Sequence, residues 1–348
     1  MRIAMIAPPW LTVPPRSYGG TETVIDALAR GLHRRGHDVV LLAHPDSTCP
    51  VARVTLPRVG PDTLMGDGMH EARHVLAAHD HIDDAALDDH RAFDVVHDHT
   101  VLGPLVRGDH EGPPFVTTNH GLFDDTTVPV FRRIAERAAV VAISHAQAAE
   151  ADGVPIAGVV HHGVEVAEHP AGEGGGDVLF LGRMAPTKGV VEAIRLARTA
   201  GMRLVLAAKM REPAEHAYYT ERVRPLLGDD AVYVGEVEHD DKLALLGQAT
   251  ALLNPIRWSE PFGMVMLEAI ACGTPVVAFA AGAAPEIVEH GVSGFVCRSD
   301  AEIVQGLRRA ASLDRAACRA RAAECFSVDR MVDGHLAVYR AAIDRRPR

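Results

Sequence analysis

The sequence lacks the features that mark several broad classes of protein. Its five cysteines are odd in number and scattered, with no Cys-x-x-Cys pair, so we expect no disulfide framework and a reducing cytoplasm. The longest apolar run, 269–284, is broken by two glycines and a proline and is too short to span a bilayer. The apolar run at 3–7 is too short for a signal peptide. The sequence therefore predicts a cytoplasmic protein with no integral membrane segment.

Nucleic-acid binding, metal binding and dinucleotide binding also lack their usual signals. The formal net charge is −11 and no block of lysine and arginine occurs, so we expect no nucleic-acid partner. Among twenty histidines, the pairs His97/His99 and His161/His162 lie in or just after apolar strand runs without a helical i,i+4 partner set, so we expect no bound metal. No G-x-G-x-x-G fingerprint follows the first strand, which argues against an NAD-dependent oxidoreductase.

Short apolar runs alternate with helical patterns in both halves of the chain, which is typical of an α/β fold with parallel sheets. A length of 348 residues favours two domains. We predict a first domain at 1–165, a flexible glycine-rich linker at 166–176 and a second domain at 177–326. Strands are predicted at 3–7, 39–43, 95–97, 115–118, 139–143, 158–161, 178–181, 204–207, 232–235, 251–254 and 276–277. Helices are predicted from 21, from 262, and at 190–200, 241–248, 303–311, 316–324 and 331–343.

The most informative segment is 259–277, SEPFGMVMLEAIACGTPVV. A proline and a glycine break the chain after Glu260, so this acid should lie in a loop while Glu268 lies in the helix that follows. The start of a helix presents N–H groups and a dipole that favour an anion. The N–H groups concerned are those near Phe262, Gly263 and Met264. The pattern predicts a phosphate site with a hydroxyl-binding carboxylate at each end.

This segment resembles the E-x7-E signature of retaining glycosyltransferases of the GT-B fold, family 4. The resemblance implies that Glu260 binds the hydroxyls of a donor sugar and Glu268 the ribose of its nucleotide. It also implies an α/β, GT-B architecture of two Rossmann-like, doubly wound domains that face each other across a cleft. The first is an acceptor domain and the second binds the nucleotide sugar. By analogy with the fold, a last helix at about 327–348 packs back on the first domain.

A second segment, 179–189 (LFLGRMAPTKG), places two cations between a strand and a helix. A planar guanidinium and a compact ammonium can together hold a pyrophosphate without a metal. The segment is similar to the family's G-R-x-x-x-x-K-G motif. The resemblance therefore assigns Arg183 and Lys188 to the diphosphate.

Two motifs of the first half resemble further family segments. Gly19 and Gly20 open the first predicted helix in a loop similar to the family's G-G-x-E, where glycine lets the backbone approach a phosphate or sugar closely. His120 lies in TTNHG at the family's T-x-H-G position, which contacts the transferred sugar or the acceptor. A departure from the family occurs at His162-Gly163-Val164, where Asn-Gly-Val is commoner. That change puts any contact of this side chain in doubt.

The region assigned to the base also departs from the family. Relatives usually carry Gly-x-Gly where this chain has Ala-Ala-Lys-Met, so Lys209 can reshape the pocket or contact a phosphate. The predicted catalytic residues are His120, Arg183, Lys188 and Glu260. The predicted substrate-binding residues are Gly19, Gly20, Arg183, Lys188, Lys209, Met210, Val237, Glu260, Phe262, Gly263, Met264, Val265 and Glu268.

The resemblance implies retaining transfer of a sugar from a nucleotide diphosphate sugar to a hydroxyl of a small molecule or glycan. UDP is favoured and GDP is the alternative; no metal or other cofactor is expected. Residue usage rich in Ala, Arg, Asp and His suggests a high-GC bacterium and secondary-metabolite or antibiotic biosynthesis. Two alternatives stay open. One is a nucleotide-sugar binding protein without transfer activity, and the other is a nucleotide-sugar 2-epimerase, which uses different acidic residues.

Overall fold

The computed structural model describes residues 1–16, 19–58, 66–87, 91–106 and 112–345. The described strands are β1 (Arg2–Ile6), β2 (Asp38–Ala43), β3 (Ala52–Thr55), β4 (Val95–Asp98), β5 (Phe115–Thr118), β6 (Ala138–Ala142), β7 (Ile156–Val159), β8 (Val178–Arg183), β9 (Leu204–Lys209), β10 (Ala231–Gly235), β11 (Ala251–Asn254), β12 (Val276–Phe279) and β13 (Gly294–Cys297). The described α-helices are α1 (Gly20–Arg34), α2 (Gly68–Ala86), α3 (Gly103–Val106), α4 (Thr127–Ile134), α5 (His145–Ala149), α6 (Val190–Ala200), α7 (Pro213–Tyr218), α8 (His239–Gln248), α9 (Met264–Ala271), α10 (Ala284–Ile287), α11 (Asp300–Ala310), α12 (Arg315–Cys325) and α13 (Val328–Asp344). None of these helices combines the length and apolarity that crossing a lipid bilayer requires.

The chain divides into two compact units. The first comprises Met1–Gly163 and Val328–Arg348, and the second comprises Val164–Ser327. Each unit is built on its own parallel sheet.

The first unit contains a sheet with the strand order β3-β2-β1-β4-β5-β6-β7. The central strands are continuous apolar runs because both faces of such a sheet are covered. In β1, for example, Ile3, Met5 and Ile6 are fully buried. Chain order reverses between β1 and β4, which is the topological switch of a doubly wound sheet, where ligands bind at the carboxyl ends of the strands.

Glycine is required just before α1 because the backbone at Gly19 passes close to the side chain of Pro15. A Cβ atom on Gly19 would lie 2.7 Å from the Cβ atom of Pro15. The helix begins at Gly20 with Gly19 as its N-cap, one residue before the predicted start at Thr21. Tyr18, which belongs to the same motif, lies outside the described residues.

Helix α13, from the carboxyl end of the chain, belongs to the first unit. It packs on α1, where a Cβ atom on Gly31 would lie 2.7 Å from both Val328 and Val332. Arg35, just after α1, donates hydrogen bonds to Asp329 and Asp333 of α13. The helix thus docks through an apolar contact with an ion pair at its edge.

The second unit repeats the same winding, with the strand order β10-β9-β8-β11-β12-β13. Its switch lies between β8 and β11, which pair in parallel. Its core joins α6 and α11 to the sheet through buried aliphatic side chains such as Ile194, Leu206 and Leu307. The carboxyl ends of β8, β9, β10 and β11 therefore lie along one edge, on which the predicted motifs of the second half converge.

The glycine-rich stretch predicted as a flexible linker, 166–176, lies within the second unit. The N–H groups of Gly172, Gly174 and Gly176 donate to the carbonyls of Cys272, Gly247 and Gln248, respectively. A Cβ atom on Gly172 would lie 2.0 Å from the carbonyl oxygen of Gly247. Glycine here permits close backbone packing, and the division between the units falls at 163/164 instead.

Candidate functional site

The predicted residues of the second half lie at the carboxyl edge of the second sheet. Arg183 ends β8 and Lys209 ends β9, and the two are paired in register. Lys188 follows β8, and Glu260 follows β11. Because β8 and β11 are neighbours, the loops that carry Lys188 and Glu260 meet at the switch point.

Lys188 and Glu260 form an ion pair. The Lys188 Nζ atom lies 2.5 Å from the Glu260 Oε1 atom, and each side chain is 17% exposed. The ammonium also lies 5.3 Å from the centroid of the Trp258 ring. The Trp258 Nε1–H group donates to the carbonyl oxygen of Thr187 at 2.8 Å, which fixes the indole beside the lysine. The lysine is therefore held on two sides.

The start of α9 lies beside this ion pair. Gly263 is the N-cap, with φ +97°, a conformation that favours glycine. A Cβ atom on Gly263 would lie 4.0 Å from the carboxyl carbon of Glu260. The backbone of Glu260 is fixed in turn, because its carbonyl accepts a hydrogen bond from the N–H group of Ala283 at 3.0 Å. Phe262 precedes α9, and Met264 and Val265 are its first two residues, so the helix begins two residues after the predicted start at 262.

Arg183 is bound by two carboxylates that sequence analysis missed. Its Nε atom donates to Glu215 and its Nη2 atom donates to Glu212, each at 2.9 Å. Burial disfavours the charged form of Glu215, but hydrogen bonds from the N–H groups of Arg211 and Glu212 and from Arg183 outweigh it and lower its pKa. The Glu-x-x-Glu spacing at the start of α7 is a capping-box pattern, and that was the signal available in the sequence.

Glu268 is also paired with a residue that sequence analysis missed. Its Oε1 atom lies 2.6 Å from the Nζ atom of Lys242 on α8, and both side chains are largely buried. Glu268 is the fifth residue of α9, so it lies in the helix, as predicted, and little more than one turn from its start. Glu260 and Glu268 therefore have separate cationic partners.

The residues assigned to the base lie further along the same edge. Lys209 is buried at the end of β9, and its carbonyl accepts a hydrogen bond from the N–H group of Met184 at 2.8 Å. Met210 packs against the core, and Val237 is half-buried after β10. Arg211 and Glu236 form an ion pair at 2.7 Å between the same two strand ends.

The remaining predicted residues lie in the first unit. Gly19 and Gly20 start α1, and His120 follows β5. The His120 Nε2 atom shares a hydrogen with the His99 Nδ1 atom at 2.9 Å, and its ring stacks on that of His162 with centroids 5.2 Å apart. Burial lowers the pKa of His120 to about 4, so the imidazole is neutral near pH 7.

His120 belongs to a cluster of buried imidazoles that runs to α13. His97 lies 4.0 Å from His99 and 4.8 Å from His335 between ring centroids. Its Nδ1 atom is 2.6 Å from the Tyr339 hydroxyl. Burial lowers the pKa of each of these histidines. We call His97, His99, His120, His162 and His335 the histidine cluster.

Cation–carboxylate pairs line the second sheet edge, and one of them, Lys188–Glu260, lies next to a helix start. Cations of this kind form strong, short hydrogen bonds to phosphate oxygens, and the planar guanidinium can bind two of them at once. A helix N-terminus stabilises the same charge. The edge is therefore suited to a ligand that carries both anionic oxygens and hydroxyl groups.

The chain is similar to known glycosyltransferases. Residues 164–324 match the family described as Glycosyl transferases group 1, and residues 18–168 match the one described as Glycosyltransferase Family 4. The chain is 32% identical to the D-inositol 3-phosphate glycosyltransferase of Mycobacterium avium (strain 104) over 268 residues, or 69% of this chain and 61% of that protein. It thus spans about three-fifths of that relative's length.

Solved structures agree with the family match. The crystal structure of AviGT4, a glycosyltransferase involved in avilamycin A biosynthesis, is similar with a TM-score of 0.74 and 26% identity over 99% of this chain and 98% of that one. Sucrose-phosphate synthase from Thermosynechococcus elongatus shares the fold, with a TM-score of 0.80 at 19% identity over 99% of this chain and 100% of that one. The chain belongs to the group 1 glycosyltransferases of the family 4 type, and its α/β, GT-B fold is confirmed.

Proposed function

We propose that this protein is a retaining glycosyltransferase that moves a sugar from a nucleotide diphosphate sugar, with UDP favoured, to a hydroxyl of a small molecule or glycan. The observation that carries the proposal is the Lys188–Glu260 ion pair at the switch of the second sheet, next to Arg183 and the start of α9. This arrangement offers cations to a diphosphate and a carboxylate to sugar hydroxyls at one place. Family membership supports the same conclusion.

In the proposed reaction the protein stabilises the leaving diphosphate. The bond between the anomeric carbon and the phosphate oxygen breaks, and the bond to the acceptor oxygen forms on the same face of the sugar. A phosphate oxygen of the leaving group takes the acceptor's proton. Arg183, Lys188 and the N–H groups at the start of α9 bind the charge that develops on the diphosphate, which is where electrostatic catalysis acts. An ammonium has three N–H groups, so Lys188 can bind Glu260 and a phosphate together.

The carboxylates are proposed to orient the donor. Glu260 accepts hydrogen bonds from sugar hydroxyls and Glu268 from the ribose, while Lys209, Met210 and Val237 line the base. Holding the reacting groups in one geometry lowers the entropic part of the barrier. Two cations perform the charge neutralisation that a divalent metal performs in other transferases, so we propose that transfer needs no metal and persists in a chelator.

His120, Gly19 and Gly20 are proposed to serve the acceptor or the transferred sugar. A neutral imidazole can accept a hydrogen bond from a hydroxyl, and the low pKa of His120 keeps it neutral near pH 7. The relatives named above suggest an inositol phosphate or an intermediate of antibiotic biosynthesis as the acceptor class.

The test is acceptor-dependent release of nucleoside diphosphate. A thermal-shift panel of UDP, GDP, ADP and dTDP sugars first identifies the donor, since a ligand that binds only the folded state raises its melting temperature. Release of the diphosphate is then measured with and without acceptors, beginning with D-inositol 3-phosphate. We expect release to depend on the acceptor and to fall by orders of magnitude in Glu260→Gln and in Arg183→Ala.

The matched control is Asp177→Asn. Asp177 pairs with Arg203 next to the amino end of β8, the strand that carries Arg183 at its other end. This variant should keep the rate of the unaltered protein. If a nucleotide sugar binds but no acceptor speeds release of the nucleoside diphosphate, the protein is a binding protein without transfer activity. Inversion of the sugar at its second carbon would indicate an epimerase.

A further inference from the structure

Arg183 is held by two glutamates whose environments differ sharply. Glu215 is nearly inaccessible, with a side chain 3% exposed, whereas the Glu212 side chain is 54% exposed. Both lie at the start of α7, three residues apart, and both accept hydrogen bonds from the same guanidinium at 2.9 Å. One carboxylate that binds Arg183 is therefore buried, and the other is exposed to solvent.

Glu215 is fixed by hydrogen bonds on both of its oxygens. Oε1 accepts from the Arg183 Nε–H group, and Oε2 accepts from the backbone N–H groups of Arg211 at 2.8 Å and Glu212 at 3.2 Å. A carboxylate that accepts three hydrogen bonds cannot turn away without breaking all of them, which is costly. It therefore determines the direction in which the guanidinium plane points.

Glu212 is held less firmly. Its Oε1 atom accepts from the Arg183 Nη2–H group, and the Arg183 side chain is itself 37% exposed. Exposed ion pairs contribute little to stability because water and salt screen them. An incoming phosphate oxygen offers the same guanidinium an equivalent acceptor with more charge.

We propose that Glu215 is a positioning residue for Arg183 and that Glu212 is a displaceable counter-ion occupying the place of a phosphate oxygen until the nucleotide diphosphate binds. This inference rests on the proposed function and adds to it a division of labour between two acids that the sequence motifs do not include. Glu215 aids binding of the diphosphate, and Glu212 competes with it.

The two roles predict opposite effects of the same substitution. Glu215→Gln places an NH₂ group against either the guanidinium or the two backbone N–H groups, because an amide has only one acceptor oxygen. Affinity for the diphosphate should fall by about tenfold, as expected for a lost charge-assisted hydrogen bond. Glu212→Gln weakens only the carboxylate that competes with the phosphate for Arg183, so affinity for the diphosphate should rise by about twofold to fivefold.

Calorimetric titration of purified variants tests this inference. UDP, GDP, ADP and dTDP are titrated into the unaltered protein, and the tightest binder and its parent nucleoside are titrated into each variant. The nucleoside isolates the phosphate contribution, because general damage to the unit would weaken both ligands equally. Asp230→Asn is the charge-matched control, since Asp230 pairs with Arg198 next to the amino end of β10.

Arg183→Lys supplies a second readout. Lysine keeps the charge but has no Nε–H fork for Glu215 to orient, so Glu215→Gln should cause no further loss in that background. The Glu212 prediction concerns an exposed side chain and stands even if Glu215→Gln does not fold.

The expected result is weaker diphosphate binding in Glu215→Gln, tighter binding in Glu212→Gln and unchanged nucleoside binding in both. The inference is overturned if Glu212→Gln binds the diphosphate no more tightly, or if Glu215→Gln weakens the nucleoside as much as the diphosphate. If Arg183→Ala loses affinity while both glutamate variants match Asp230→Asn, only this inference fails. If no diphosphate binds the unaltered protein, the proposed function fails with it.

Discussion

The two sheets have the same winding but very different carboxyl edges. The second sheet ends in ion pairs, Arg183 with Glu215, Lys188 with Glu260 and Lys242 with Glu268. The first sheet ends in the histidine cluster. Four of its members are buried and His120 is half-buried, and burial lowers the pKa of all five. One edge carries charge, and the other carries neutral hydrogen-bonding groups.

The difference shows how one topology supports two kinds of recognition. A cation that is already paired can exchange its carboxylate for a ligand phosphate, so the second edge suits a charged tail. Buried imidazoles resist protonation, so the first edge can offer hydrogen bonds and shape without attracting anions.

The largest expected effect is acid destabilisation of the first unit. For each histidine of the cluster the pKa in the folded state is lower than in the unfolded chain, so the unfolded chain binds more protons below its pKa of about 6.5. The contribution of these histidines to the free energy of unfolding is therefore fully present above that pH. It is lost as the pH decreases toward the pKa values of the folded state, about 4 for His120 and about 3 for His335. Each histidine contributes up to about 1.4 kcal/mol per pH unit.

Two tryptophans, one in each unit, allow the measurement. Trp10 lies in the first unit and Trp258 in the second. Fluorescence of Trp258→Phe then reports on the first unit and that of Trp10→Phe on the second. Between pH 6.5 and 4.5, denaturant midpoints should fall mainly in Trp258→Phe. Equal falls in both variants would contradict the contrast between the units.

The second prediction separates the two edges by function. Lys188→Ala removes a cation from the proposed diphosphate site and should weaken nucleoside diphosphate binding and lower kcat by about a hundredfold, the scale of one lost charge-stabilising donor. His120→Ala should lower turnover but leave the Kd for the nucleoside diphosphate unchanged. Calorimetry on both variants measures the Kd for the nucleoside diphosphate, and steady-state kinetics measure kcat. A large change of that Kd in His120→Ala would contradict the assignment of diphosphate binding to the second edge alone.

The third prediction concerns a single member of the histidine cluster. His335→Gln removes one buried titrating group on α13, so the slope of stability against pH between 6.5 and 4.5 should fall by up to about 1.4 kcal/mol per pH unit. Urea unfolding of the variant in the Trp258→Phe background measures that slope. His216→Gln, on α7 of the second unit, is the control and should leave it unchanged. An unaltered slope in His335→Gln would mean that this histidine does not contribute to acid sensitivity.

The smallest expected effect concerns the ring beside Lys188. Trp258→Leu removes both the aromatic face and the hydrogen bond to Thr187, and should weaken diphosphate binding by about twofold to fivefold, the scale of an exposed cation–π contact. Trp258→Phe keeps the face and should lose less. Calorimetry measures the Kd for the diphosphate in both variants, with Trp10→Phe as the control. If Trp258→Phe binds the diphosphate as weakly as Trp258→Leu does, the effect comes from the hydrogen bond and not from the aromatic face.

Much of the fold could be predicted because buried parallel strands read as apolar runs. The strands at 115–118 and 251–254 and the helix at 190–200 coincide with β5, β11 and α6. Helix α2 was missed, since His74 and His79 occupy positions on its buried face where periodicity analysis looks for aliphatic residues. Strand β3 was missed because it is a largely exposed edge strand with no apolar run.

Only those site residues that belong to sequence motifs could be predicted. Arg183, Lys188, Glu260 and Glu268 were identified from local patterns. The structure places the first three at one sheet edge and Glu268 in the helix that starts beside Glu260. Their partners Glu215 and Lys242 lie on other helices, and no spacing in the sequence connects residues brought together by strand order. The histidine cluster was missed for the same reason, since its members come from β4, the ends of β5 and β7, and α13.

The most direct test is a crystal structure with the nucleoside diphosphate that raises the melting temperature most. The account predicts phosphate oxygens within hydrogen-bond distance of the Arg183 guanidinium and the Lys188 ammonium, at the start of α9, with the ribose at Glu268. A nucleotide bound away from the carboxyl edge of the second sheet, or bound there with both cations still engaged only by glutamates, would contradict it.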